Sequence, residues 1–197
     1  MNLPNKITIS RIIMVFIFLV ICNVDELMNN SPSVQTTWRI IGFIFIILAS
    51  FTDILDGYIA RKYDMVTDFG KLMDPLADKI FMATAFVMLV DKQILPGWIA
   101  VVIISREFMV TGLRLLAANK GEVISADITG KIKTLVQMIF LGVGGSIWIG
   151  WLDKDVWMNK SHWEGIIWII FYSCVTLITV YSGISYFVRH KNLYQNT

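Results

Sequence analysis

The sequence predicts an all-α protein: a polytopic membrane bundle of six transmembrane helices. Three observations predict it. Of 197 residues, 56% are hydrophobic and 16% charged, against roughly 45–50% and about 25% in an average soluble domain. The apolar residues fall into six long blocks. Four aspartates and most of the basic residues gather near the ends of those blocks, on one side of the implied membrane.

A hydrocarbon core about 30 Å thick takes roughly 20 helical residues to cross. The first block, Ile7–Val24, follows Lys6 as a signal peptide would, but no small-residue cleavage site follows it, so it is read as a retained helix. The second is Trp38–Ile59. The third, Leu76–Val90, is short and leans on a polar first turn, where Pro75 is expected to sit at no hydrogen-bond cost. Leu95–Ala118, Ile132–Trp151 and Gly165–Val188 complete the set. Backbone amides in lipid must be bonded within their own segment, so the blocks are expected to be helices rather than strands. Short connections leave room for a single domain, 1–197.

Cys22 and Cys174 lie inside apolar blocks and are expected to be buried thiols. The two histidines, His162 and His190, fall in loop or tail and are expected to be solvated. A formal charge of +2 is too small to suggest a nucleic-acid partner.

With six crossings the termini share a side with the second and fourth loops. Of the seventeen Lys and Arg, Arg39, Lys92, Lys154 and Lys160 fall on the opposite side and the rest fall here. The positive-inside rule makes the richer side cytoplasmic. All seven tryptophans map at or near the other side, as an interfacial aromatic belt would.

Four acids sit where the second and third blocks approach the cytoplasm. Asp53, Asp56, Gly57 and Ala60 follow one another at i, i+3, i+4 and i+7, one face of a helix, and Asp74 and Asp78 align at i, i+4. Hard divalent cations such as Mg²⁺ or Mn²⁺ prefer oxygen ligands, and two metals about 3.5–4 Å apart are a recurring device in phosphoryl displacement. Gly57 and Ala60 remove bulk from the acidic face, and Arg61 is placed to balance phosphate charge. Taken singly, small residues are explained by helix packing, and an acid at a helix end by capping. Four uncompensated carboxylates together near a membrane boundary would repel one another unless cations bind.

The full pattern, D-x2-D-G-x2-A-R-x8-G-x3-D-x3-D, starts at Asp53 and takes in Gly70 before ending at Asp78. It resembles the signature of the CDP-alcohol phosphatidyltransferase family, and the six-helix layout resembles that family over nearly the whole chain. The resemblance implies a homodimeric membrane enzyme in which Asp53, Asp56, Asp74 and Asp78 ligate two metal ions per active site. It further implies that Gly57, Ala60, Arg61 and Gly70 contact the CDP-lipid, CDP-diacylglycerol, and that Asp78 is the base that activates the acceptor hydroxyl. Pro4-Asn5-Lys6-Ile7-Thr8-Ile9-Ser10-Arg11 looks like the family's amphipathic entry segment, which adds Asn5 to the CDP-lipid contacts.

The fourth block carries Arg106, Glu107 and Arg114 inside an otherwise apolar helix. Intramembrane charge is costly and is by default a functional hypothesis. A guanidinium fork suits a phosphate monoester, and Lys131 and Lys133, opening the fifth helix from the same side, are expected to add positive charge to that pocket. The competing reading makes Arg106 and Glu107 a structural ion pair and lets the lysines snorkel to headgroups. The Arg-Glu…Gly-Leu-Arg run is similar to that of the family's bacterial phosphatidylglycerophosphate synthases, which implies glycerol 3-phosphate as acceptor. Other acceptors within the family give cardiolipin, phosphatidylserine or phosphatidylinositol-phosphate chemistry instead. A metal-dependent membrane prenyltransferase also binds pyrophosphate through aspartates, but resembles longer chains with more crossings. A divalent-cation pathway would need polar residues through the whole depth, whereas Ile40–Phe45 and Phe86–Val90 are apolar.

Overall fold

The computed structural model describes residues 3–27, 31, 33–46, 68–121 and 128–192. Among the described residues the regular structure is all helical. Helix α1 spans Leu3–Leu27, α2 residues 33–46, α3 Asp68–Asp91, α4 Gly97–Asn119, α5 Ile128–Trp148, α6 Lys154–Met158 and α7 Trp163–Arg189. The short α6 lies in the segment expected to be a plain outer loop. Asp153 caps it by accepting from the Asp155 amide at 2.9 Å, satisfying a donor that a helix start leaves open.

The third helix differs from the sequence expectation. It begins at Asp68, so Pro75 lies seven residues beyond the start and not in the first turn. There its missing N–H withdraws the helical bond to the carbonyl of Lys71. Asp74 is correspondingly an interior helical residue and not a cap.

At about 1.5 Å per residue, helices of 21 to 27 residues reach about 30–40 Å. By length and composition together, among the described residues, only α7 qualifies as a membrane span, with a mean hydropathy of 1.8 over its most apolar stretch. Helix α4 is interrupted by Arg106, Glu107 and Arg114, and α5 opens with Lys131 and Lys133.

The chain divides into two compact units, Met1–Met88 with Trp148–Gly150, and Leu89–Ile147 with Trp151–Thr197. In the first, Val15 and Phe81 are buried, with Met14 and Ile46 packed on them. Phe18 meets Trp148 edge to face at 6.4 Å, and a Cβ at Gly42 would come within 3.0 Å of the same indole, so Gly42 gives the ring its space.

In the second unit α4 and α6 pack on α7. A tight turn leads into α4: Leu89 O accepts from the amides of Ile94 and Leu95, and Gln93 takes φ 56° to close it. Trp168 stacks on Phe140 at 4.6 Å and donates its indole N–H to Ile94 O at 2.9 Å. The tryptophans therefore divide. Trp98, Trp151 and Trp163 are exposed as an interfacial belt requires, whereas Trp148 and Trp168 are core residues. The thiols divide too: Cys22 is buried as expected, whereas Cys174 is exposed on α7, where burial was expected.

Helix α7 is inside out by the standards of a soluble helix. Its buried face holds Gly165, Thr176, Thr179, Ser182 and Gly183, while Ile166, Ile170, Leu177, Ile184 and Val188 are exposed. Water-soluble helices put the apolar stripe inward. A helix packed in lipid turns small and hydroxyl residues toward its neighbours, where they permit close approach and share hydrogen bonds. Thr179 does both: it is fully buried and accepts from the amide of Gln137 on α5 at 3.2 Å.

Candidate active site

Residues proposed for the metal and CDP-lipid sites fall mostly outside the described part of the chain. Asp53, Asp56, Gly57, Ala60 and Arg61 lie outside the described residues. Gly70, Asp74 and Asp78 are helical positions of α3, and Asn5 of α1, but their side chains are outside the description as well. The backbone alone places Asp74 and Asp78 one turn apart on one face of α3. An all-carboxylate donor pair at that spacing fits a hard divalent cation such as Mg²⁺.

The second group of candidates is described in full. Glu107, on the α4 face turned inward, is bonded to the ammonium of Lys133 on α5, and its same Oε1 lies 3.4 Å from Nη1 of Arg106. All three groups are withdrawn from the surface: the side chains of Lys133, Glu107 and Arg106 keep 3%, 10% and 11% of their exposure. One carboxylate thus serves two cations. Thr111 ties its hydroxyl to the Glu107 carbonyl at 2.8 Å, one turn along the same helix.

Arg106 and Arg114 both turn toward α7. Arg106 donates from Nη2 to Ser182 Oγ at 2.7 Å, and Arg114 donates from Nε to the Tyr186 hydroxyl at 3.1 Å. The Arg114 guanidinium also lies over the Tyr186 ring, 5.4 Å from its centroid, a cation–π contact. The eight-residue spacing of the arginines on α4 is matched by a four-residue spacing of hydroxyls on α7. Ser182 and Tyr186 are both buried, whereas Arg114 is exposed. Gly183 lies between the two hydroxyl residues, and a Cβ there would come within 3.0 Å of Arg106 Cγ.

Among the described residues the cluster holds three cations and one anion. Arg106 keeps a buried Nε with no hydrogen-bond partner among the described residues. Lys131, two residues from Lys133 and so on the other side of α5, is exposed. Of the four expected acceptor-site residues the structure therefore joins Arg106 and Lys133 through Glu107, sets Arg114 beside them on α4, and leaves Lys131 apart. His190, expected to be solvated, is half-buried at the end of α7, its ring 4.6 Å from that of Tyr186 and its Nδ1 2.9 Å from the Tyr186 carbonyl.

Sequence reasoning passed over Ser182 and Tyr186. The available signal was a pair of hydroxyl residues at i, i+4 flanking a glycine on the most apolar helix. That pattern is ordinary helix packing in a membrane until a charged neighbour is known.

A family model described as CDP-alcohol phosphatidyltransferase matches residues 1–176. The chain is 48% identical over 142 residues to the CDP-diacylglycerol–glycerol-3-phosphate 3-phosphatidyltransferase of Bacillus subtilis (strain 168), covering 70% of this chain and 73% of that one. It is 34% identical over 193 residues to the protein of the same name in Rickettsia bellii (strain RML369-C), covering 98% and 97%. A probable phosphatidylglycerophosphate synthase of Mycobacterium tuberculosis (strain ATCC 25618 / H37Rv) is 37% identical over 142 residues, covering 72% and 65%. With the model match spanning most of the chain, this protein belongs to the CDP-alcohol phosphatidyltransferase family.

Proposed function

We propose that the chain transfers the phosphatidyl group of CDP-diacylglycerol to glycerol 3-phosphate, giving phosphatidylglycerophosphate and CMP. Beside family membership and the names of the relatives, one structural observation carries the choice of acceptor. Among the described residues Arg106, Arg114 and Lys133 lie about the carboxylate of Glu107, so positive groups outnumber it there. A phosphate monoester carries nearly two negative charges and accepts bidentate bonds from guanidinium groups. Inositol or a lipid alcohol would leave the charge unbalanced, and zwitterionic serine would balance it poorly. Prenyl transfer has no use for a second anion site.

In this reading the acceptor phosphate is held by Arg106 and Arg114, with Lys133 fixing Glu107 beside them, and the acceptor hydroxyl is directed at the phosphorus that bears diacylglycerol. The oxygen–phosphorus bond forms as the bond to CMP breaks, and the hydroxyl proton passes to the Asp78 carboxylate. Asp53, Asp56, Asp74 and Asp78 would hold two Mg²⁺ or Mn²⁺ ions, which supply positive charge at the phosphoryl oxygens and the departing CMP. Asn5, Gly57, Ala60, Arg61 and Gly70 would contact the CDP-lipid.

The same reading makes the protein a six-span bacterial membrane enzyme, a homodimer, with both termini and the active-site cavity on the cytoplasmic side. The apolar outer face and hydroxyl-lined inner face of α7 support the lipid setting.

The test is an acceptor panel with purified protein and CDP-diacylglycerol, following CMP release. Glycerol 3-phosphate is expected to be the fastest acceptor, and Arg114→Lys to raise its KM strongly with CDP-lipid affinity nearly unchanged, since the planar fork is lost while the charge stays. Faster release with serine, inositol phosphate or phosphatidylglycerol would exclude it.

A further inference from the structure

We infer that Ser182 and Tyr186 on α7 are positioning residues that set the two α4 guanidinium groups for the acceptor's phosphate; the inference rests on the acceptor reading above. Each hydroxyl accepts from one of the two arginines. Tyr186 accepts the Nε hydrogen of Arg114, closing the side-on edge of that guanidinium, and its ring lies beneath the plane. What remains is the end-on fork, the two Nη groups, on a side chain that is exposed. Ser182 and Glu107 take Nη2 and Nη1 of Arg106, which fixes that guanidinium in place and leaves the Arg114 fork as the open one.

Long arginine side chains near a membrane boundary snorkel toward water unless something fixes them. Here the fixing groups are buried and built into one face of α7, with 2% and 5% of their exposure remaining. Gly183 supplies the space for the Arg106 stem between them. The turn carrying Tyr186 is itself closed by His190, whose ring lies tilted against that of Tyr186 and meets the Tyr186 carbonyl. A bidentate acceptor rewards such preorganisation, because the fork need not be ordered when substrate arrives.

The inference predicts an effect on one substrate only. In the purified full-length protein, Tyr186→Phe keeps the ring beneath the guanidinium but removes the acceptor oxygen; Ser182→Ala removes the other. Each is expected to raise the KM for glycerol 3-phosphate about tenfold, the scale of a hydrogen bond to a charged group, with the KM for CDP-diacylglycerol and the melting temperature near wild type. Ser182→Thr, which keeps the hydroxyl, should recover most of the loss, and Tyr181→Phe, on the exposed side of α7, should change nothing. A Tyr186→Phe enzyme with an unchanged acceptor KM, or with both KM values rising together, overturns the inference. Arg114→Lys separates the two levels. If it leaves the acceptor KM unchanged, the acceptor reading falls; if it raises that KM and Tyr186→Phe does not, the positioning role alone falls.

Discussion

The ammonium of Lys133 on α5 is bonded to the carboxylate of Glu107 on α4, and the pair is shut away from the surface on both sides. Breaking a buried ion pair by removing one partner costs about 3–5 kcal/mol, because the other charge stays buried without compensation. The two partners are not equivalent here. Glu107→Gln takes the shared carboxylate charge from both Lys133 and Arg106, whereas Lys133→Met leaves Glu107 paired with Arg106. Glu107→Gln is therefore expected to lower the melting temperature in detergent more than Lys133→Met does. The reverse order would mean that Arg106 does not share the carboxylate.

The aspartates are expected to make turnover metal-dependent. EDTA should abolish CMP release and added Mg²⁺ or Mn²⁺ restore it, and Asp→Asn at Asp53, Asp56, Asp74 or Asp78 should each lower the rate at least about a hundredfold. Wild-type rates in any two of these variants would sink the two-metal reading. Asp78→Asn should keep CDP-lipid binding better than Asp53→Asn, since Asp78 also carries the base role.

Orientation can be read by labelling. In a Cys174→Ser background, which removes the exposed native thiol, a cysteine at Lys160 is expected to react with an impermeant reagent in intact cells and one at Asp64 is not. Lys160 is exposed beside α6, on the side assigned to the exterior. Reaction at position 64 with none at 160 would invert the topology.

Two glycines should respond oppositely to alanine. A Cβ at Gly165 would lie 2.1 Å from the carbonyl oxygen of Asn159, a backbone atom that cannot swing away, so Gly165→Ala should cost about 1–3 kcal/mol as α7 and the segment after α6 are pushed apart. At Gly142 a Cβ meets nothing within 4 Å, and Gly142→Ala should gain up to about 1 kcal/mol of helix propensity. Melting temperatures of the two variants check both signs; a Gly165→Ala protein as stable as wild type would place the Asn159 carbonyl elsewhere.

Much of this protein is determined by its sequence alone. The helical class follows from apolar blocks too long to be anything else in lipid, and the family follows from a spacing of acids, glycines and Arg61 that needs no coordinates to recognise. The charges of α4 are equally visible, because an arginine in an apolar run is conspicuous by its cost. Tertiary structure decided what those charges do with one another. Lys131 and Lys133 look alike in sequence, yet two residues on a helix point to opposite sides, so Lys133 reaches Glu107 and Lys131 does not. Ser182 and Tyr186 carry no signal of their own until α7 lies against α4 and each meets an arginine. The start of α3 also escaped the hydropathy pattern, because its first turns are polar and only the backbone shows that Asp68 to Pro75 is already helix. Periodicity reports which residues share a face; which face meets which is set by packing between segments far apart in the chain, and a local pattern holds no record of that.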